Sequence, residues 1–525
     1  MEQGVPYVGE LRYLHFKRTA KSVECQEKDR GNIAFWLHWN NLRIKPSSKG
    51  ASVFPLVAFA QNAQVSLNAK FPNASYNVLA IYFFLIYNAH KNRGIAMKKN
   101  NKIVLWGVTV LDGKKDMEPQ KNRAVYICDG KIEKITEADH PDQGYVVMDL
   151  TGQYLLPGLI NLHVHLPASG KPRKKASDPK KLVKLITANR LTRKLGLKIC
   201  EKYARTELMS GVTTVRTVGG VSNFDTILRD RIVSGRVCGP RILASDMAIS
   251  VPGGHMAGSL AWEATSAQEA ASLVDRIAAG KPDLIKLMIT GGVLDAEVVG
   301  EPGVLRMPAE YVKSASERAH ALGLKVAAHV ESPEGVKVAL ENGVDSIEHG
   351  AKPDDEIIRL FKEKGAFQVS TISPALPYAL FDRSVSHATE EQQINGKVVF
   401  DGIIALAKAC LAAGIPVGLG TDTGCPYITH YDMWRELCYF VKYCGVTPAF
   451  ALYSATLRNA ELSGIDDVTG SVENGKEADL IICRSNPLDD LSVLRELTYV
   501  IRAGKVIRPR LKKMKCAEAE LDKFL

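Results

Sequence analysis

Between residues 159 and 420 the sequence repeats one unit: a short apolar run of strand length, then a longer stretch with helical periodicity. The apolar runs lie at 159–164, 212–217, 241–244, 284–289, 325–330, 346–348, 367–371 and 417–420, with helical patterns such as 309–322 and 398–413 between them. Strands joined through helices run parallel, and a parallel sheet is covered by helices on both faces. Eight such units over about 300 residues predict an α/β fold, a (β/α)8 TIM barrel spanning 158–464.

The flanks read differently. Residues 103–111 (IVLWGVTVL), 125–127 and 131–135 are short strands around the turn Asp129-Gly130, and a similar run returns at 470–472, 478–483 and 500–506. This predicts a small β-sandwich domain built from two segments, 97–157 and 465–510, with 511–525 as a tail. Residues 1–96 show no sustained period, and a normal start would be Met97, just before the first clean strand. They are read as an atypical extension upstream of the true start, against the alternative of a genuine extra domain.

The net charge of +11 raises the question of nucleic acid, but about seven of those charges precede Met97. No zinc-finger spacing, helix-turn-helix or RNA-binding aromatic pattern accompanies them, so no nucleic-acid partner is expected. The ten cysteines are scattered without a Cys-x-x-Cys pair, which fits free thiols in a reducing cytoplasm. The most lipid-like stretch, 78–87 (VLAIYFFLIY), is about half the length needed to span a bilayer, and no membrane partner is expected.

In a barrel of this kind active-site groups end the strands at one face. The first run closes with His163-Val164-His165, and residues two apart on a strand share a face. The fourth carries Lys286 inside Leu284-Ile285-Lys286-Leu287-Met288-Ile289, where an ammonium is costly to bury. Desolvation favours the neutral amine, which can react with carbon dioxide to give a carbamate, an anion with two oxygens suited to bridging cations. His329 ends the fifth run, His349 the sixth, and Asp422 follows the eighth. Six groups of metal-ligand type at the ends of five strands point to a metal centre.

The order His-x-His, Lys, His, His, Asp resembles the amidohydrolase superfamily in its binuclear form with a carboxylated lysine. Leu156-Pro157-Gly158-Leu159-Ile160-Asn161 is similar to that family's entry to the first strand, and 470–482 (GSVENGKEADLII) to its return to the small β-domain. Gly253-Gly254-His255 and Thr290-Gly291-Gly292 resemble the branch of prolidase-like dipeptidases, N-acyl-amino-acid hydrolases and ochratoxin amidases. The resemblance covers 102–506.

It implies two divalent metal ions, zinc by default, with His163, His165 and Asp422 on one and His329 and His349 on the other. Carboxylated Lys286 and a hydroxide would bridge them, and Asp422 would act as general base and then acid. The implied substrate is a small amide or peptide: a dipeptide, an N-acyl amino acid or an ochratoxin-like amide. His255 is the candidate for substrate binding, against the alternative of a surface-loop histidine. Glu331 is a further pocket candidate, and the basic loop 171–175, continuing to 180–181, is either a solvated lid or an attractor of anions. The runner-up is a mononuclear imidazolonepropionase-like hydrolase or deaminase, which would not use Lys286. A metal-free scaffold and a partner-binding protein acting through 1–96 come from other classes. A homo-oligomer is expected.

Overall fold

The computed structural model describes residues 22–28, 32–38, 102–172 and 178–525. The chain divides into two compact units, Met1–Arg93 and Gly94–Leu525. In the first, Ser22–Lys28 pairs antiparallel with Asn32–His38, a hairpin that the reading of 1–96 as patternless did not anticipate. The apolar stretch 78–87 lies outside the described residues.

In the second unit the repeated runs are parallel strands. Leu159–Val164, Val212–Thr217 and Arg241–Leu243 form one sheet in that order. Leu284–Met288, Lys325–Val330, Ser346–His349, Phe367–Ser370 and Val417–Leu419 follow one another in a second. The first strand is buried at every position, as the covering helices require.

Both junctions between the sheets are hydrogen-bonded. Asp283 N–H donates to Ala244 O at 2.7 Å, joining the third strand to the fourth. Asp422 N–H donates to His163 O at 2.9 Å, and Val164 bridges Thr423, joining the eighth to the first. A Cβ on Gly420 would lie 2.6 Å from His163 Cβ, so this approach admits only glycine. The result is an α/β fold of the TIM-barrel type.

Polar side chains reinforce the seam between the first and eighth strands. Asn459 Nδ2 donates to Ile160 O (2.8 Å) and Leu419 O (2.9 Å), while its Oδ1 accepts from Leu419 N–H. Asn161 Oδ1 accepts from Thr421 N–H, and its Nδ2 donates to Thr421 Oγ1 at 2.7 Å. Asn459 directly follows a π-helical turn, Ser454–Arg458. One extra residue per turn is the usual means of re-aiming a side chain at a functional place.

Most elements lie where their periodicity puts them, within a residue or two at the ends. The helix expected at 398–413 instead begins at Glu390, where Thr389 and Gln392 form a capping box. Its polar first two turns, led by Glu390 and Glu391, hide it from an apolar-periodicity reading. Two short strands, Ala248–Ser250 and Ala261–Glu263, extend the second sheet and escaped the sequence reading.

The flanking segments share one mixed sheet. Leu480–Cys483 pairs antiparallel with Tyr154–Pro157, and Lys102–Val110 pairs with Gln120–Cys128. The run expected at 500–506 is a hairpin, Tyr499–Arg502 against Lys505–Ile507, turning at Ala503 (φ 47°) and Gly504 (φ 73°).

The tail is a helix, Lys515–Leu521, held by a fully buried guanidinium. Arg435 meets Asp432 at 3.1 Å, Glu518 at 3.1 Å and Asp522 at 2.6 Å. Tyr431 Oη accepts from Met514 N–H at 2.6 Å, so the tail also braces the loop after the eighth strand. Removing one partner of a buried ion pair costs about 3–5 kcal/mol. With two carboxylates left, Glu518→Ala should lower unfolding free energy by roughly 2–3 kcal/mol in a denaturant titration. Glu496→Ala, at an exposed carboxylate, should stay within about 0.5 kcal/mol of the parent.

Candidate metal centre

The six residues singled out from the sequence converge at one end of the barrel. His163 Nε2 lies 3.6 Å and His165 Nε2 3.1 Å from Asp422 Oδ1. The His163 and His349 ring centres are 4.8 Å apart, as are those of His329 and His349. Ligand atoms of His163, His349 and Asp422 fall within 4.8 Å of one another, as do those of His329, Glu331 and His349.

Each histidine has a ring nitrogen engaged by the protein, and His165 has both, its Nε2 facing Asp422. His163 Nδ1 meets Glu348 Oε2 at 2.8 Å, His165 Nδ1 meets Gly219 O at 2.9 Å, and His349 Nδ1 meets Thr371 Oγ1 at 2.6 Å. His329 is reversed, with Nε2 at 3.1 Å from Gly291 O. At His163 and His329, where the partner is a carboxylate or a carbonyl, the ring donates its proton and the other nitrogen keeps its lone pair. Burial drives His163 and His329 well below the usual imidazole range and His349 down to about 4. Neutral imidazoles with aimed lone pairs are the donor set that divalent ions take.

Lys286 is buried in the fourth strand, and its Nζ has no hydrogen-bond partner among the described residues. Burial lowers its pKa to about 8, opposed by the charge of Glu348. Asp422 is buried too, which favours its neutral acid, yet His163 and His165 hold its carboxyl well below the usual range. Two site residues have left-handed backbone that side chains disfavour: His349 at φ 67° and Asp422 at φ 52°. Such conformations persist where the surroundings over-determine them, here by ladder bonds on both sides.

His255 faces the same space. Its ring stacks on His329 at 4.1 Å and 1°, and its Nδ1 lies 2.8 Å from Asp295 Oδ2. Glu331 stands beside it, its carboxyl pushed up to about 8 by burial and by Asp295. A Cβ on Gly292 would sit 3.2–3.3 Å from His255, Glu331 and His329, so this glycine leaves the cluster its room. Of the basic loop, residues 173–177 lie outside the described residues.

Several supporting residues escaped the sequence reading. Glu348, wholly buried, accepts from Arg216 Nη2 at 2.6 Å and Ser346 Oγ at 2.8 Å while holding His163. Arg216 Nε donates to Leu162 O. The signal was present, since a charge inside an apolar strand marks Arg216 and Glu348 as it marks Lys286. Asp295 gave no such signal, because it sits in a loop.

The sequence profile described as the Amidohydrolase family matches residues 154–507. The chain is 27% identical over 426 residues to ochratoxinase of Aspergillus niger, covering 75% of this chain and 84% of that protein. A candidate prolidase structure from Bifidobacterium longum is 35% identical with a TM-score of 0.72, covering 81% of this chain and 98% of that one. A Xaa-Pro dipeptidase with methionine bound in its active site is 30% identical with a TM-score of 0.68, covering 78% of this chain and all (100%) of its own. The chain therefore belongs to the amidohydrolase family and is a hydrolase acting on carbon–nitrogen bonds.

Proposed function

We propose that this hydrolase cleaves the amide or peptide bond of a small substrate at a centre of two divalent ions, zinc by default. In this reading His163, His165 and Asp422 hold one ion and His329 and His349 the other, with carboxylated Lys286 between them. The observation that carries it is the set of imidazoles turned by Glu348, Gly219, Gly291 and Thr371, converging on Asp422 and on a Lys286 Nζ without a hydrogen-bond partner among the described residues.

Bound divalent ions supply positive charge that acidifies a water molecule and polarises the scissile carbonyl. The protein's own part is proton traffic and positioning. Asp422, held ionised by His163 and His165, accepts the attacking water's proton and returns it to the leaving nitrogen. The neutral Lys286 amine adds to carbon dioxide, forming an N–C bond and releasing a proton. The product is an anion where an ammonium would lie buried without a partner. Asp295 holds His255 to receive the substrate's carboxylate.

Among the substrate types considered, dipeptides and ochratoxin-like amides are supported by the Xaa-Pro dipeptidase and ochratoxinase among the relatives, while N-acyl amino acids rest on the sequence resemblance alone. The finer architecture belongs to the same reading. It comprises a (β/α)8 barrel over 158–464, a small β-sandwich domain from 97–157 and 465–510, an extension over 1–96 and a tail from 511. Among the described residues no helix is long and apolar enough to cross a membrane. The free cysteines there fit a reducing, cytoplasmic setting.

The test is metal per chain and hydrolysis of Xaa-Pro dipeptides, N-acyl amino acids and ochratoxin-like amides. The parent should hold about two ions, as a bridged centre requires. Lys286→Ala should lose most of that metal together with activity. One ion per chain, unmoved by the substitution, would favour the mononuclear imidazolonepropionase-like reading.

Two further outcomes follow. Glu348→Gln should weaken metal affinity about 10–100-fold, because His163 loses the anion that orients its ring. Metal reconstitution in bicarbonate should speed up as pH rises through about 8, where Lys286 loses its proton. A flat profile from pH 7 to 9 would count against carboxylation.

A further inference from the structure

After the first strand the chain forms two neighbouring helices, Pro179–Thr187 and Arg190–Met209, whose outer face is both basic and apolar. Residues 178–202 hold eight lysines and arginines against two acids, Asp178 and Glu201. In a surface helix the charged side normally stands opposite an apolar side that is buried. Here much of the apolar side is not. Helix Pro179–Thr187 has no fully buried residue. Val183 and Ile186 pack against the core, whereas Leu182, Leu185, Leu191 and Leu195 face out, Leu185 at 63% and Leu191 at 73% exposure. Exposed Lys180, Lys181, Lys184, Arg190, Lys194 and Lys198 lie among them.

The face is built in advance of any partner. Asp178 Oδ1 accepts from Lys181 N–H at 3.2 Å, and Asn189 Oδ1 accepts from Leu191 N–H at 2.9 Å and Thr192 N–H at 3.0 Å, so both helices are capped. Arg193 anchors the second helix to the barrel, its Nη2 donating to Asn223 Oδ1 at 2.9 Å and its Nη1 to Ser222 Oγ at 3.2 Å. The two acids are spent within the helices, Asp178 on Lys181 at 3.6 Å and Glu201 on Lys198 at 2.7 Å. Lys184, Arg190 and Lys194 have no ion pair among the described residues. The face starts at the metal-site end: a Cβ on Gly258, in the loop that carries His255, would lie 3.5 Å from Lys180 Cε.

We infer that this face rests on an anionic lipid surface, its basic side chains meeting the headgroups and Leu182, Leu185, Leu191 and Leu195 entering the acyl boundary. Charge requires an anionic partner, and the leucines decide which one. Nucleic acid offers phosphates but no apolar layer beneath them to take four leucines. A second copy would need an apolar face rimmed by free carboxylates. The cluster of Leu294, Val298, Val299, Ile394 and Val398 is not one, because Glu297 is paired with Arg306 at 3.0 Å, Glu390 with Arg383 at 3.4 Å, and Lys397 is exposed there too. A bilayer presents negative charge and apolar interior in successive layers, which is the order a basic, leucine-bearing helix pair matches. The stretch 78–87 is too short to span a bilayer, but lying in the interface requires no span. The cytoplasmic leaflet, the negative one, suits the setting that the free cysteines fit.

Cosedimentation of the full chain with lipid vesicles tests this. The parent should pellet with vesicles of equal parts phosphatidylserine and phosphatidylcholine, stay in solution with phosphatidylcholine alone, and be released by salt of about 0.5 M. Lys184→Gln, Arg190→Gln and Lys194→Gln together should weaken binding about a hundredfold. Leu185→Ser with Leu191→Ser, which leaves every charge in place, should weaken it about tenfold or more. Both variants should keep the parent's metal content and melting temperature, since neither touches a metal-site residue. A parent that ignores phosphatidylserine vesicles at low salt would overturn the inference. So would binding that is unchanged by the leucine pair, which would mark a face for polyanions in general. An oligomer of the parent that the leucine pair dissociates, seen by velocity sedimentation, would also overturn it, by assigning the face to a second copy.

Discussion

The seam between the first and eighth strands is the constraint on which the site depends. His163 and His165 come from one end of the barrel sequence and Asp422 from the other, and their chemistry requires them to meet within about 3 Å. Backbone bonds from Asp422 N–H to His163 O, the side-chain clamps of Asn161 and Asn459, and the bare Cα of Gly420 hold that meeting in place. Asn459 reaches both strands from the π-helical turn, so an irregularity far along the chain fixes the register of the catalytic end.

A second layer sits beneath the donors. Glu348 is a carboxylate without solvent, and such a charge is tolerated only when paired and hydrogen-bonded on both oxygens. Arg216 and Ser346 take one oxygen and His163 the other, so the cost of burying the charge is offset by orienting an imidazole. Lys286 is the counter-case, a buried amine without a partner among the described residues. The contrast between the satisfied Glu348 and the unsatisfied Lys286 is the one that the proposed carboxylation would remove.

Burial serves function elsewhere in the same way. Arg435 ties the C-terminal helix to the base of the loop after the eighth strand, and that helix lies beyond the residues matched by the family profile. Its ion pairs act with the buried side chains of Ala517 and Leu521 to seat that segment against the barrel. The leucines after the first strand are the opposite case, apolar area left exposed among the described residues.

The class of fold is legible in the order of the residues, because alternating buried strands and amphipathic helices leave few other solutions, and each period is a local property. So are the identities of the metal-type residues, since a histidine, lysine or aspartate ending an apolar strand stands out one residue at a time. Helix Glu390–Ala412 shows the limit, as its polar first turns are set by a cap and not by periodicity. Everything that depends on distance across the barrel had to wait for the fold. Glu348 reaching His163, Asn459 pinning two strands and Asp295 holding His255 all join residues from separate elements. Sequence spacing carries no distance between such elements; the closed ring of strands sets it.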